Sequence, residues 1–151
     1  MNKKLVLGIA LAVLAIVIAG VTVYMIFART GTPIVIDVTT NITADDLNYK
    51  LFRIISLDGV SIPTEQEYFV TFFDGSVSAR ICNTISGGFN IADNIITGAL
   101  AQTLKYCDSP PGIMNIESAF ATLFNDGASI NLADNILTLS SGGRSLVFTQ
   151  M

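Results

Sequence analysis

Cys82 and Cys107 are the only thiols in a chain of 151 residues that contains neither histidine nor tryptophan. The missing histidine removes the commonest general base, the commonest metal ligand and the near-neutral pH switch together. No Ser-His-Asp, Cys-His or zinc-His arrangement can be assembled within such a chain. Two cysteines without histidine make an incomplete zinc set and an unactivated nucleophile, so neither a metal site nor a cofactor is expected. An even number of cysteines in an oxidising compartment favours a disulfide. Closing a loop of 26 residues would stabilise the fold by roughly 3 to 4 kcal/mol in the chain-entropy model. Two buried free thiols are the competing reading.

Carboxylates are the remaining groups with chemical capacity, and paired Asp and Glu residues run glycoside hydrolysis. The nine Asp and three Glu residues all lie beyond residue 36. Asp58 and Asp74 precede glycine, Asp93 and Asp134 precede asparagine, and Asp126 precedes Gly127, which are the places where turns want them. No D-x-[DN]-x-[DN]-G calcium loop occurs. No catalytic residue is assigned, and a non-enzymatic protein is expected. Against these twelve acids stand six bases after residue 28, a net charge of −6. Nucleic acid would be repelled, since its binding relies on basic clusters.

The elements that must position these residues read as short β-rich runs separated by turns, the pattern of an antiparallel sheet or small barrel. Residues 51–57 end at Asp58-Gly59, and residues 68–73 and 76–82 flank Asp74-Gly75. An Asp-Gly pair between β-rich segments is among the strongest short hairpin signals. Further hairpins are expected around Asp93-Asn94 and Asp134-Asn135. These sit in the octets NIADNIIT (90–97) and NLADNILT (131–138), which agree at six of eight positions. The flanking residues differ, so the octets read as one turn chemistry used twice. Ser141-Gly142-Gly143-Arg144 makes a last turn before residues 145–148.

One segment breaks this rhythm. After Pro110-Pro111-Gly112, apolar residues recur at Ile113, Ile116, Phe120, Leu123 and Phe124, with Glu117, Thr122 and Asn125 elsewhere. That spacing predicts one amphipathic helix of about a dozen residues, stopped near Gly127, whose apolar stripe packs across the sheet or into a barrel mouth. The expected interior draws on Phe69, Phe72, Phe73, Phe89, Phe120 and Phe124.

At the amino terminus, Lys3 and Lys4 precede an uncharged, predominantly apolar run over residues 5–28, closed by Arg29. As a helix it would be roughly 36 Å long, enough to cross a hydrocarbon core of about 30 Å. A single-pass anchor is the expected reading, and a cleaved signal peptide is the competing one. Lys3, Lys4 and the terminal amine outweigh Arg29, which places the N-terminus in the cytoplasm and residues 29–151 outside. The resulting organisation is a cytoplasmic stub (1–4), a transmembrane anchor (5–28), a juxtamembrane linker or stalk (29–47) and a folded domain (48–151) that begins near Tyr49. The length admits one compact domain of roughly 100 residues and no multidomain enzyme.

The segment FDGSVSARICNTISGGF (73–89), followed by IITGALAQTLKYC (95–107), resembles the META domain, or HslJ-like, family. Cys82-Asn83, Ser86-Gly87, Thr103 and Cys107 occupy that family's motif positions, and the resemblance spans residues 48–149. Phe52 stands where tryptophan is common, and Ala79 and Ile81 stand where many members have glycine. The resemblance implies an α+β, mainly antiparallel β fold, a small barrel-like sheet with one packed α-helix, here preceded by a single N-terminal transmembrane helix. It also implies a place in the bacterial envelope without a common enzymatic activity. The function expected is that of a membrane-anchored module binding an unidentified envelope protein or maintaining the envelope under stress. The alternative is a barrel that encloses a small hydrophobic ligand, a lipid or drug, in an apolar cavity of a few hundred Å³.

Overall fold

The computed structural model describes residues 41–151. The apolar run at 5–28 and the linker up to residue 40 lie outside the described residues, and so does the expected transmembrane helix.

Nine strands and one helix follow a short 3-10 turn at Ala44–Asp46. The strands are β1 (Lys50–Leu57), β2 (Val60–Ser61), β3 (Phe69–Phe73), β4 (Ser76–Arg80), β5 (Thr84–Ala92), β6 (Ile95–Gln102), β7 (Ala128–Ala133), β8 (Ile136–Ser141) and β9 (Arg144–Gln150), with α1 (Ile113–Asn125) between β6 and β7. All pairings are antiparallel, and β1 pairs with β9 as well as β3. This last pairing closes eight strands into a barrel, with the two-residue β2 as a flap on β1. On β1, Ile55 is an extra residue between the Ile54 and Ser56 pairings with β9, and such a bulge bends the strand. The bend lets β1 leave β3 after Arg53 and turn back on itself through β2.

Five hairpins have two-residue loops: Asp58-Gly59, Asp74-Gly75, Asp93-Asn94, Asp134-Asn135 and Gly142-Gly143. Both residues of every loop have positive φ, from 47° to 80°. That is the turn whose twist matches right-handed strands, and it selects Gly, Asn and Asp. The two octets are two of these hairpins, pairing Asn90 with Thr97 and Asn131 with Thr138.

The loops alternate between the two ends of the barrel. The chain enters at the near end, where the Ile42 N–H donates to Asn94 Oδ1 (2.7 Å) beside the turns at 74–75, 93–94 and 134–135. Ile42 and Leu47 are already buried in the core, so packing starts upstream of Tyr49. The far end holds the turns at 58–59 and 142–143, the Cys82-Asn83 corner and the connection from β6 to α1. There the Asp58 carboxylate accepts from the Ser145 N–H (2.8 Å) and lies 3.1 Å from Arg144 Nε.

β6 and β7 share only two residue pairs, Ile95 with Ser129 and Ile96 with Ala128. Helix α1 fills the remaining gap, packing on β6 and, further along, on β9 and β8. Asn125 Oδ1 accepts the Leu100 N–H at 3.1 Å, in place of the missing strand partner. The interior is filled by Phe52, Phe72 and Phe148 from the strands and Phe120 and Phe124 from α1, all fully buried. Phe72 meets Phe52 and Phe89 edge to face at centroid distances of 5.7 and 5.3 Å. Of the six expected core aromatics, Phe89 is half-buried against the core and two are placed otherwise. Strand alternation turns Phe73 outward, 57% exposed against Tyr49, and leaves Phe69 half-buried. Phe52 and Phe148 take the interior positions instead.

Candidate functional site

Cys82 and Cys107 are joined by a disulfide, with Cα atoms 6.0 Å apart. The bridge ties the corner between β4 and β5 to the connection that follows β6, at the far end of the barrel. Directly beside it, Asn83 is buried and all of its side-chain hydrogen-bonding capacity is used. Its amide nitrogen donates to Glu117 Oε1 (2.7 Å) and to the Lys105 carbonyl (2.9 Å). Its amide oxygen accepts from the Lys105 N–H and from the Thr103 hydroxyl, both at 2.8 Å. The Asn83 main-chain N–H donates to Glu117 Oε2 at 2.6 Å, and the Thr103 N–H donates to the Thr84 carbonyl at 3.2 Å.

Glu117 is therefore a buried carboxylate, 2% exposed, each of whose oxygens accepts one N–H from Asn83. A buried charge is costly unless it is hydrogen-bonded. Here the helix supplies the carboxylate and the corner supplies both donors, so α1 is fastened to β5 and to residues 103–105 through one side chain. Apolar spacing alone sets Glu117 off the stripe, whereas in the folded protein it lies within the buried face of α1. The signal was present: Glu117 lies four residues after Ile113, three before Phe120 and seven before Phe124. A helix repeats its faces at these intervals, so the carboxylate falls inside the buried arc.

The other motif residues divide. Thr103 joins Asn83 in the cluster, whereas Ser86 points outward from β5, opposite Ser78 and Ala101. Gly87 is needed for close approach, because a Cβ there would run into the Ala99 carbonyl oxygen on β6. The acids expected in turns are found there, Asp58, Asp74, Asp93 and Asp134 at positive φ and Asp126 at the end of α1. Among the described residues no group of three or more acids and thiols converges as a metal set.

The cluster displays the segment it holds. Leu104 is 98% and Tyr106 81% exposed, while Thr103, the Lys105 backbone and Cys107 face inward onto Asn83 and Cys82. A cleft of about 310 Å³ lies beside the segment, with Leu104, Tyr106 and Met114 among its walls. A second far-end cleft of about 350 Å³ lies between β2 and the start of α1, lined by Leu57, Val60, Ile62, Pro63 and Ile116 among others. Both clefts open to solvent outside the packed interior.

Residues 45–151 match the META domain family. The chain is 23% identical over 110 residues to the heat shock protein HslJ of Escherichia coli (strain K12), covering 71% of this chain and 78% of that protein. The fold resembles a protein solved by NMR at a TM-score of 0.65 and 22% identity, over 72% of this chain and 94% of the other. A second NMR structure, of a Burkholderia xenovorans protein, matches at a TM-score of 0.57 and 17% identity, over 72% of this chain and 86% of the other.

Proposed function

Because the chain belongs to the META domain family, we propose that it is a non-catalytic binding module of the cell envelope, anchored by residues 5–28 with the barrel outside the cytoplasm. The observation that carries this reading is how the polar groups are used. Asn83, Glu117 and Thr103 are bonded to one another and to main chain, so they position a loop and are not free to attack a substrate. The loop they position holds Leu104 and Tyr106 in solvent, at the end of the barrel away from the entering chain. Tethering at a membrane raises the effective concentration of a neighbouring partner. The relative named as a heat shock protein supports a role under stress.

Photo-crosslinking in intact cells tests this. The full-length protein would carry a photoreactive residue at position 60, 78 or 106, and a discrete adduct from at least one position is expected. No adduct from any of the three would sink the binding reading. Protease added outside the cytoplasmic membrane should cleave the linker, and a protected linker would reverse the orientation.

A second reading is favoured by the cleft between β2 and α1, whose volume and apolar walls suit a small hydrophobic ligand. The interior is occupied by aromatic side chains, which overturns the alternative of a ligand enclosed within the barrel, so such a ligand would sit on the rim. A fluorescent fatty-acid analogue bound by the native protein and lost in Val60→Glu would support this reading. Equal binding by both proteins would remove it.

A further inference from the structure

Asn83 binds Lys105 as a neighbouring strand would. Its side-chain amide accepts the Lys105 N–H at 2.8 Å and donates to the Lys105 carbonyl at 2.9 Å, the two-way exchange of an antiparallel pair. A residue whose N–H and C=O face one partner is extended, and its two neighbours then direct their own groups to the opposite side. Those neighbours are Leu104 and Tyr106. Among the described residues no backbone hydrogen bond involves either of them, and their exposures of 98% and 81% show that nothing covers them.

We infer that residues 103–107 form an open strand edge that accepts an extended peptide by strand addition, a site that rests on the binding-module reading above. Exposed edges are ordinarily blunted by charge, proline, a bulge or a covering element. Here Lys105 is the one charged residue of the segment, Leu104 and Tyr106 on either side of it are apolar, and the cleft formed with Met114 offers a place for a side chain of the added strand. The segment is fixed before binding by the disulfide at Cys107, the two bonds at Lys105 and the Thr103 N–H, so little ordering cost falls on the protein.

Lys105 in the edge and Arg80, paired with Thr84, are balanced by Asp108 and by the Glu117 carboxylate in the wall of the same cleft, so the backbone and not charge selects the partner. The peptide that fits is extended, with apolar residues at alternate positions, and its own N–H and C=O groups meet those of Leu104 and Tyr106. A bilayer surface fits less well, since inserting Leu104 and Tyr106 into hydrocarbon would carry their unpaired N–H and C=O groups with them. Strand pairing satisfies those same groups.

The test is amide hydrogen exchange on the full-length chain in detergent micelles. The probe is an acetylated, amidated peptide of alternating valine and threonine. At ten times its dissociation constant it should slow exchange at Leu104 and Tyr106 about tenfold and leave the already bonded Lys105 amide unchanged. A peptide N-methylated at alternate residues on its pairing side should give no slowing, and this control does not depend on any variant folding. Equal binding by the methylated peptide, or protection only around Ile62 and Ile116, overturns the strand-edge site while leaving a binding module in place. Slowing by phosphatidylglycerol vesicles without slowing by the peptide overturns it in favour of lipid contact. No slowing by either also overturns it, and the cross-linking result then decides separately whether the module reading stands.

Discussion

Replacing Glu117 by glutamine keeps the shape of the side chain and changes what it can accept. The carboxylate takes the Asn83 main-chain N–H at 2.6 Å and the Asn83 amide N–H at 2.7 Å, one on each oxygen. A glutamine offers one carbonyl oxygen and, at the other site, an NH2 group that faces a donor. One hydrogen bond to a charged acceptor is therefore lost and a buried N–H is left unsatisfied. Bonds of this kind contribute about 1.5 to 3 kcal/mol each. Relief of the buried charge offsets part of the loss, so Glu117→Gln should cost about 2 kcal/mol. Glu117→Ala strands both donors and should cost about 2 to 6 kcal/mol, at about 1 to 3 kcal/mol for each buried N–H left unsatisfied. With a urea slope of about 2 kcal/mol per molar, the glutamine variant moves the unfolding midpoint down by about 1 M. Tyrosine fluorescence and near-ultraviolet circular dichroism on the full-length protein in detergent, with the disulfide intact, would follow the transition. The Lys105 amide should also exchange faster, because Asn83 holds it. A glutamine variant within about 0.5 kcal/mol of the native protein, the behaviour of an ordinary surface substitution, would refute the clamp.

Three other perturbations have defined outcomes. Reducing the Cys82–Cys107 bridge, or replacing both residues with serine, should lower stability by roughly 3 to 4 kcal/mol, and overlapping urea transitions with and without reductant would contradict this. Gly87→Ala should cost about 1 to 3 kcal/mol by forcing β5 and β6 apart, measured against Gly88→Ala on the same strand, where the nearest atom to a Cβ is the Gly75 carbonyl oxygen at 3.8 Å; a smaller loss at Gly87 would count against the close approach. The Asp46 carboxyl is held below its ordinary value of 3.8, first by the Thr43 main-chain N–H and then by the Thr43 hydroxyl. Its contribution is therefore fully present above pH 3.8 and is lost as the pH falls through the lowered folded value. The stability gap between the native protein and Asp46→Asn should close across that acid window, and a gap independent of pH would remove the assignment.

Much of the barrel was legible in the chain because hairpin loops are local. Asp-Gly, Asp-Asn and Gly-Gly between β-rich runs specify positive φ at two successive residues, and all five such loops are found. The helix was legible for the same reason, since its apolar spacing is a property of one segment. Assigning the aromatics was harder. Phe72 and Phe73 are adjacent in sequence, and only the register of β3 against β1 and β4 decides which one enters the core. Glu117 was harder still. Its position in the buried arc could be counted, but its partner Asn83 lies 34 residues away in a corner with no local sign of contact with α1.

The sequence by itself determined the chemistry that is out of reach, the five turns, the helix over Ile113–Asn125, the apolar run at 5–28 and the presence of two cysteines in one acidic β-rich domain. These follow from residue type and from interactions within a few positions, which the chain carries wherever it goes. Only the tertiary structure decided that β1 closes on β9, that α1 takes the place of a strand beside β6 and that Asn83, Glu117, Thr103 and the disulfide meet at one end. Each of those depends on groups far apart in the chain satisfying one another's hydrogen bonds or burying one another's surface. No local pattern encodes which distant group will do so. The exposed Leu104 and Tyr106 show the difference most directly. Their side chains are ordinary apolar residues in the sequence, and it is the clamp on Lys105 between them that holds them in water.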